Sequence, residues 1–231
     1  MRRVLMFHGW GFPAAIFSSL IDDLTPGFVV ETPGRTGYGT RPEQSAGTIA
    51  VSLQSPTLLI GWSLGGQDAL KLSLQQPELV SGVVLLATTP CFVNQPGWNA
   101  GMDQAVFDAF RQQVIDDPVA AMQQFVRLNA GDRADRQSRA RLSELSGGVA
   151  PSVLLNGLDE LENTDLRDSV SEIKAPVLIL HAVDDRIVPV AASYWLQRNL
   201  PNARLVEFPH GGHAFFLQHT NEIADLVRTM A

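Results

Sequence analysis

Residues 57–66 read Thr57-Leu58-Leu59-Ile60-Gly61-Trp62-Ser63-Leu64-Gly65-Gly66: an apolar run that breaks on glycine, a serine inside a G-x-S-x-G pattern, then a stretch with helical spacing. The short apolar run predicts a buried strand over 57–61, and Ala69, Leu70 and Leu74 predict a helix over 64–76. A serine between such a strand and such a helix sits on a tight, strained turn. The glycines around it admit close backbone packing, and its hydroxyl is raised at the sheet edge. Ser63 is therefore the candidate nucleophile. A serine that merely caps the helix is the competing reading.

Working outward, short apolar runs recur at 4–7, 28–31, 82–87, 177–181 and 204–208, with helix-like stretches between them. That alternation predicts an α/β fold with about six strands in a mostly or wholly parallel sheet, helices covering both faces. Residues 13–24 suit a crossover helix opened by Pro13, and the Gly/Pro-rich stretch 32–47 reads as an irregular loop. The interval between the fourth and fifth strands is too long for one crossover. It carries helical patterns at 104–115, 118–129 and 133–145, which predicts a helical cap at 89–174 inserted into a core made of 1–88 and 175–231. Such a cap lies over the carboxyl ends of the strands, where open α/β sheets bind ligands.

Composition narrows the function classes. With 231 residues, 45% hydrophobic and 18% charged, the chain is expected to be one domain with an insertion, and disorder and coiled coil are excluded. The one cysteine, Cys91, cannot form an intrachain disulfide and reads as a small buried hydrophobe. A net charge of −7 without a lysine and arginine run argues against nucleic acid as a partner. The apolar stretch after Arg2 and Arg3 ends at His8 and is too short for a signal peptide, and no apolar run of about 18 residues suits a membrane span. A cytoplasmic monomer is the expectation.

A serine needs an adjacent base, which in this architecture follows the nucleophile in the order serine, acid, histidine. Of the five histidines, His8 precedes Ser63 and His181 reads as a core residue of the fifth strand, while His210, His213 and His219 follow the last strand. In Pro209-His210-Gly211-Gly212-His213 the two glycines let the loop swing an imidazole over the sheet edge, so His213 is the expected base and His210 the alternative. His219 reads as a helix-start or surface residue. Asp184 and Asp185 both lie past the fifth strand, and one of them should orient the imidazole while the other caps the next helix. His8-Gly9-Trp10-Gly11 ends the first strand, and the backbone N–H groups of Trp10 and Leu64 form the expected oxyanion hole.

These pieces resemble the α/β-hydrolase superfamily over essentially the whole chain. More narrowly, they combine with Thr89-Pro90-Cys91-Phe92, Leu155-Asn156-Gly157-Leu158 and Thr164-Asp165-Leu166-Arg167. That set is similar to the family of pimeloyl-[acyl-carrier protein] methyl ester carboxylesterases of biotin synthesis. In such hydrolases the acid usually stands four residues before a proline that starts the next helix, which selects Asp185 over Asp184. The resemblance implies cofactor-independent removal of a methyl group from a pimeloyl chain on acyl carrier protein, through an acyl-enzyme. It also implies substrate contacts by Trp10, Ser63, Leu64, Phe125, Val126, Arg127, Leu128, Asn129 and His213.

Carrier docking in the family relies on cap arginines. Here Arg127, Arg133, Arg136, Arg139 and Arg141 stand against Asp132 and Asp135, a local excess of positive charge on an acidic chain. A solvated helix face stitched by Asp132 with Arg136 and Asp135 with Arg139 is the alternative. The family usually begins with an extra pair of strands, so a shorter sheet with one less protected edge is expected here. Two rivals stand beside the primary reading: a broad short-chain esterase or thioesterase, and a non-catalytic ligand receptor of the same fold. No triad position is replaced, which favours an enzyme.

Overall fold

The computed structural model describes residues 1–34 and 53–230. Six strands, β1 (Arg2–Phe7), β2 (Phe28–Glu31), β3 (Thr57–Trp62), β4 (Val80–Leu86), β5 (Val177–Ala182) and β6 (Ala203–Phe208), form one sheet in the order β2-β1-β3-β4-β5-β6. Every pairing is parallel, as the sequence predicts. The strands alternate between two apolar layers because successive side chains point to opposite faces. Val4, Met6, Leu58, Ile60, Val84 and Leu180 join one cluster with α1 (Ser18–Leu24) and α8 (Thr220–Thr229). Leu5, Phe7, Leu59, Val83 and Ile179 join the other with α2 (Leu64–Gln75) and α7 (Ala191–Asn199). Burial on both faces is why these runs read as continuously apolar.

Element boundaries moved where local geometry decided them. The stretch expected as one helix over 13–24 opens as a 3₁₀ turn, Ala14–Phe17, with Ile16 N–H donating to Pro13 O at 3.0 Å, and becomes α-helical only at Ser18. Strand β4 ends at Leu86 because Ala87 takes a φ of 46°, outside the strand region. Most of the loop expected over 32–47 lies outside the described residues.

Between β4 and β5 stand α3 (Gln104–Asp116), α4 (Pro118–Ala130), α5 (Arg136–Leu145) and α6 (Pro151–Asn163). Helix α5 starts three residues later than the pattern suggested, because the Asp135 side chain accepts from Ser138 N–H at 2.6 Å and caps it there. The chain segments leading into and out of this insertion are tied together. Leu166 N–H donates to Pro90 O at 2.9 Å, Cys91 and Asp165 form an antiparallel bridge, and Lys71 Nζ reaches Thr164 Oγ1 at 3.0 Å. Thr89-Pro90-Cys91-Phe92 and Thr164-Asp165-Leu166-Arg167 are thus two sides of one seam. No helix among the described residues is long and apolar enough to cross a membrane.

Strand β2 forms one edge of the sheet; it is four residues long, and its Val29 is 44% exposed. Shortness limits what such an edge can template. Leu59→Ala, in the fully buried β3, should cost about 2–5 kcal/mol in urea unfolding. Val29→Thr on the edge should stay within about 0.5 kcal/mol of wild type.

Candidate active site

Ser63 sits between β3 and α2 with φ 55° and ψ −121°, a conformation that costs a non-glycine residue about 1–3 kcal/mol. Three hydrogen bonds hold it: Ser63 N–H to Leu86 O (2.9 Å), Gly66 N–H to Ser63 O (2.9 Å) and Thr88 Oγ1–H to Ser63 O (2.5 Å). The glycines are required for close approach. A Cβ on Gly61 would lie 2.3 Å from Gly65 O, one on Gly65 2.1 Å from Phe7 O, and one on Gly66 2.5 Å from the Thr88 side chain. Ser63 makes no side-chain cap bond to α2, so the capping alternative does not describe it.

Asp185 and His213 come together from two separate loops. His213 Nδ1 lies 2.7 Å from Asp185 Oδ2, and both side chains are fully buried. The other carboxylate oxygen, Oδ1, accepts from Ile187 N–H (2.8 Å) and Val188 N–H (3.0 Å). Burial by itself would raise the pKa of Asp185. The charge on His213 and hydrogen bonds from His181 and His213 outweigh it and hold the carboxyl well below the usual range. His213 Nε2 is buried without a hydrogen-bond partner among the described residues, Ser63 Oγ included. Trp62, the second residue of the serine motif, donates from Nε1 to His213 O at 3.0 Å and packs its ring 5.6 Å from the imidazole. His210 does not approach Asp185; its ring lies 5.7 Å from that of His219.

The second aspartate behaves differently from expectation. Asp184 does not cap a helix: its carboxylate accepts from Gly212 N–H at 2.9 Å and Gly211 N–H at 3.4 Å and so clamps the loop that carries His213. The amide-capping role falls to Asp185 itself, through Oδ1. His181 is a core residue, as read from the sequence, yet its Nε2 reaches Asp185 Oδ2 at 3.1 Å. Its four-residue spacing from Asp185 was the only sequence signal of that contact.

The loop after β1 lies against the serine turn, where a Cβ on Gly9 would be 3.2 Å from Ser63 Cβ. The backbone N–H groups of Trp10 and of Leu64, first residue of α2, donate no hydrogen bond to a described residue. The Trp10 indole runs into the insertion, donating to Leu154 O at 2.7 Å and meeting the Phe125 ring edge-on at 4.8 Å. A Cβ on Gly157 would stand 2.5 Å from Trp10 Cδ1, which explains the glycine in Leu155-Asn156-Gly157-Leu158.

Ser63 opens into a cavity of about 400 Å³ lined by Trp10, Phe92, Phe107, Phe110, Leu158 and Ile187 among others, with Gln113 and Gln124 its amides and no charged residue among the described ones. Helical periodicity splits the run 125–129. Phe125 and Leu128 line this cavity, Val126 and Arg127 line a separate one of about 600 Å³ that lacks Ser63, and Asn129 lines neither. Five consecutive helical residues cannot face one ligand. Leu64 and His213 are buried and do not line the cavity.

The arginine stretch does not form the stitched face that was the alternative reading. Asp132 pairs with Arg186 at 2.5 Å instead of Arg136, and Asp135 is occupied as the α5 cap. Arg139 donates to the carbonyls of Ala134 and Asp132, and Arg141 braces Ala15 O, Ser18 Oγ and Glu144. Arg127, Arg133 and Arg136 are exposed and have no partner among the described residues. Burial, with the neighbouring Asp165 charge, pushes the Cys91 thiol up to about 11, so it is not a thiolate nucleophile.

The profile of the α/β hydrolase family matches residues 4–226. The chain belongs to the α/β hydrolase family. Among α/β hydrolases it is similar to the pimeloyl-[acyl-carrier protein] methyl ester esterase of Nitrosomonas europaea, 35% identical over 93% of this chain and 89% of the relative. The same-named protein of Aromatoleum aromaticum is 33% identical over 97% and 96%. Among solved structures, an esterase from Exiguobacterium antarcticum superposes with a TM-score of 0.92 at 24% identity, covering 100% of this chain and 92% of that one. The resemblance read from the motifs is therefore the one the relatives carry.

Two outcomes follow from this geometry. Gly157→Ala should displace Trp10, changing the near-ultraviolet circular dichroism and slowing hydrolysis of p-nitrophenyl butyrate by about tenfold to a hundredfold. The Asp185 pKa is lowered on folding, so its charge stabilises the folded state above the unfolded carboxylate value of about 3.9 and loses that effect as pH falls further. The stability gap between wild type and Asp185→Asn should be wide near about pH 7 and close below about pH 4.

Proposed function

We propose that this protein is a serine carboxylesterase that removes the methyl group from the pimeloyl methyl ester carried on acyl carrier protein, with Ser63, His213 and Asp185 as its triad. Ser63 Oγ attacks the ester carbonyl and passes its proton to His213 Nε2, the ring nitrogen left free by the bond to Asp185. The tetrahedral oxyanion accepts from the Trp10 and Leu64 N–H groups. Methanol leaves with the proton from His213. A water molecule, deprotonated by His213, then releases the free acid and restores Ser63.

The observation that carries this reading is the strained serine lining a cavity with no charged residue among its described walls, with the Asp185–His213 pair, 2.7 Å apart, on the loops that follow β5 and β6. The names of the relatives support the substrate. The cavity itself supports a neutral methylene chain, since an unpaired carboxylate there would be strongly disfavoured. The insertion acts as a cap over the site, and Arg127, Arg133 and Arg136, exposed and without a partner among the described residues, are the docking contacts for an acidic carrier. A general carboxylesterase is the second reading, because nothing lining the cavity is specific to a carrier-bound chain.

The test is kcat/KM on the methyl ester of pimeloyl acyl carrier protein beside p-nitrophenyl butyrate, at low and physiological salt. A large preference for the carrier-bound ester that falls with salt is expected. Arg133→Glu with Arg136→Glu should lower only the carrier-bound rate, by about tenfold. Comparable, salt-insensitive rates would leave the general esterase. Ser63→Ala should silence both reactions in a folded protein, and retained turnover would overturn the assignment of the nucleophile.

A further inference from the structure

Asp185 Oδ2 serves two imidazoles. His213 Nδ1 lies 2.7 Å from it, and His181 Nε2 lies 3.1 Å from it on the other side. His181 projects from β5, is fully buried, and is held at its far nitrogen by Ser193 Oγ of α7, 2.6 Å from Nδ1. Its Nε2 is also 2.9 Å from Val188 O. A carboxylate and a carbonyl can only accept, so Nε2 carries a proton that both share, and Nδ1 accepts from the Ser193 hydroxyl. One tautomer satisfies every partner.

We propose that His181 is a positioning residue for the hydrolysis: through its Nε2–H it fixes the rotation of the Asp185 carboxylate and draws charge from the oxygen that binds His213. The carboxylate could otherwise pivot about its Cβ–Cγ bond, and the two backbone amides on Oδ1 restrain only one end of it. A donor on Oδ2 completes a four-bond frame around a group buried away from water. Less charge on Oδ2 means weaker stabilisation of the imidazolium that forms on His213 during the reaction. His181 thereby tunes how readily His213 takes and returns the proton.

The charged and titratable groups around this frame are few. His213 approaches from the loop after β6 and His181 from β5, while α7 contributes the uncharged Ser193. Asp184 is turned to the amides of Gly211 and Gly212, and Arg186 is turned to Asp132. Trp62, against the His213 ring, is uncharged. Neither Asp184 nor Arg186 is hydrogen-bonded to the carboxylate, so the charged pair that a change at His181 reaches directly is Asp185–His213.

This inference rests on the triad reading, and the test separates the two. The pH profiles of kcat and kcat/KM on p-nitrophenyl butyrate are measured for wild type, His181→Leu, His181→Gln, Ser193→Ala and Asp185→Asn, each checked for folding by circular dichroism. His181→Leu should lose about tenfold in kcat with little change in KM, the order of one hydrogen bond to a charged group. The acidic limb of its kcat/KM profile should move to higher pH by several tenths of a unit, because Oδ2 regains its full charge. His181→Gln, whose amide nitrogen can donate to the same oxygen, should recover most of the rate and restore the limb. Ser193→Ala should move the limb in the same direction by less.

Wild-type kcat and an unmoved limb in folded His181→Leu, with Asp185→Asn crippled, would overturn the inference and leave the triad intact. Wild-type kcat in Asp185→Asn would overturn the triad reading itself. Should His181→Leu not fold, Ser193→Ala decides: a shifted limb supports the inference, and an unmoved one with wild-type kcat refutes it.

Discussion

The first turn of α2 lies against the ends of β1 and β3 at distances that no side chain survives. Gly65 presses on Phe7 O, where a Cβ would come within 2.1 Å, and Gly61 presses on Gly65 O, where one would come within 2.3 Å. That approach forces the intervening serine into a backbone region with φ 55°, and the strain is held by bonds from β4 and Thr88 to its own N–H and carbonyl. A helix that began one residue earlier or later would bring a Cβ into the strand ends. The position of the Ser63 hydroxyl is thus decided by steric exclusion, and the cavity, the histidine loop and the loop after β1 are all arranged about it.

A second constraint is the charge of Asp185. A carboxylate with no solvent exposure survives in its ionised form only with donors on both oxygens, and those donors come from the β5–α7 turn, from His181 on β5 and from His213. The requirement binds three separate segments into one arrangement. Asp184, the neighbouring aspartate, extends it by holding the amides of Gly211 and Gly212, so two adjacent carboxylates divide the work of orienting the imidazole and anchoring its loop.

The helices between β4 and β5 line the cavity and also hold the loop that carries His213. Helix α4 ends where Asn129 O accepts from Ala214 N–H at 3.0 Å, and Gly131 and Gly212 touch backbone to backbone, with a Cβ on Gly212 only 2.7 Å from Gly131 N. Trp10 bonds into α6, while Gly9 beside it in the chain packs against Ser63. The apolar wall and the histidine loop therefore share one mechanical support, which links the shape of the cavity to the position of the His213 imidazole.

The sequence by itself determined the parallel sheet, because strands buried on both faces must be continuously apolar and the intervals between them must be helical. It determined Ser63 as the nucleophile candidate and the neighbourhood of the acid and base, because a strained turn demands glycines at fixed offsets. Tertiary structure brought to His213 the aspartate that the family resemblance had selected, Asp185, through the direction in which a turn leaves β5. It decided that Asp184 clamps a loop, that Arg139 and Arg141 are internal braces, and that the run from Phe125 to Asn129 divides between two cavities, since each depends on which face of an element its neighbours cover. Local spacing fixes which side chains a residue travels with along the chain, whereas its partners across the fold are fixed only when separate segments pack.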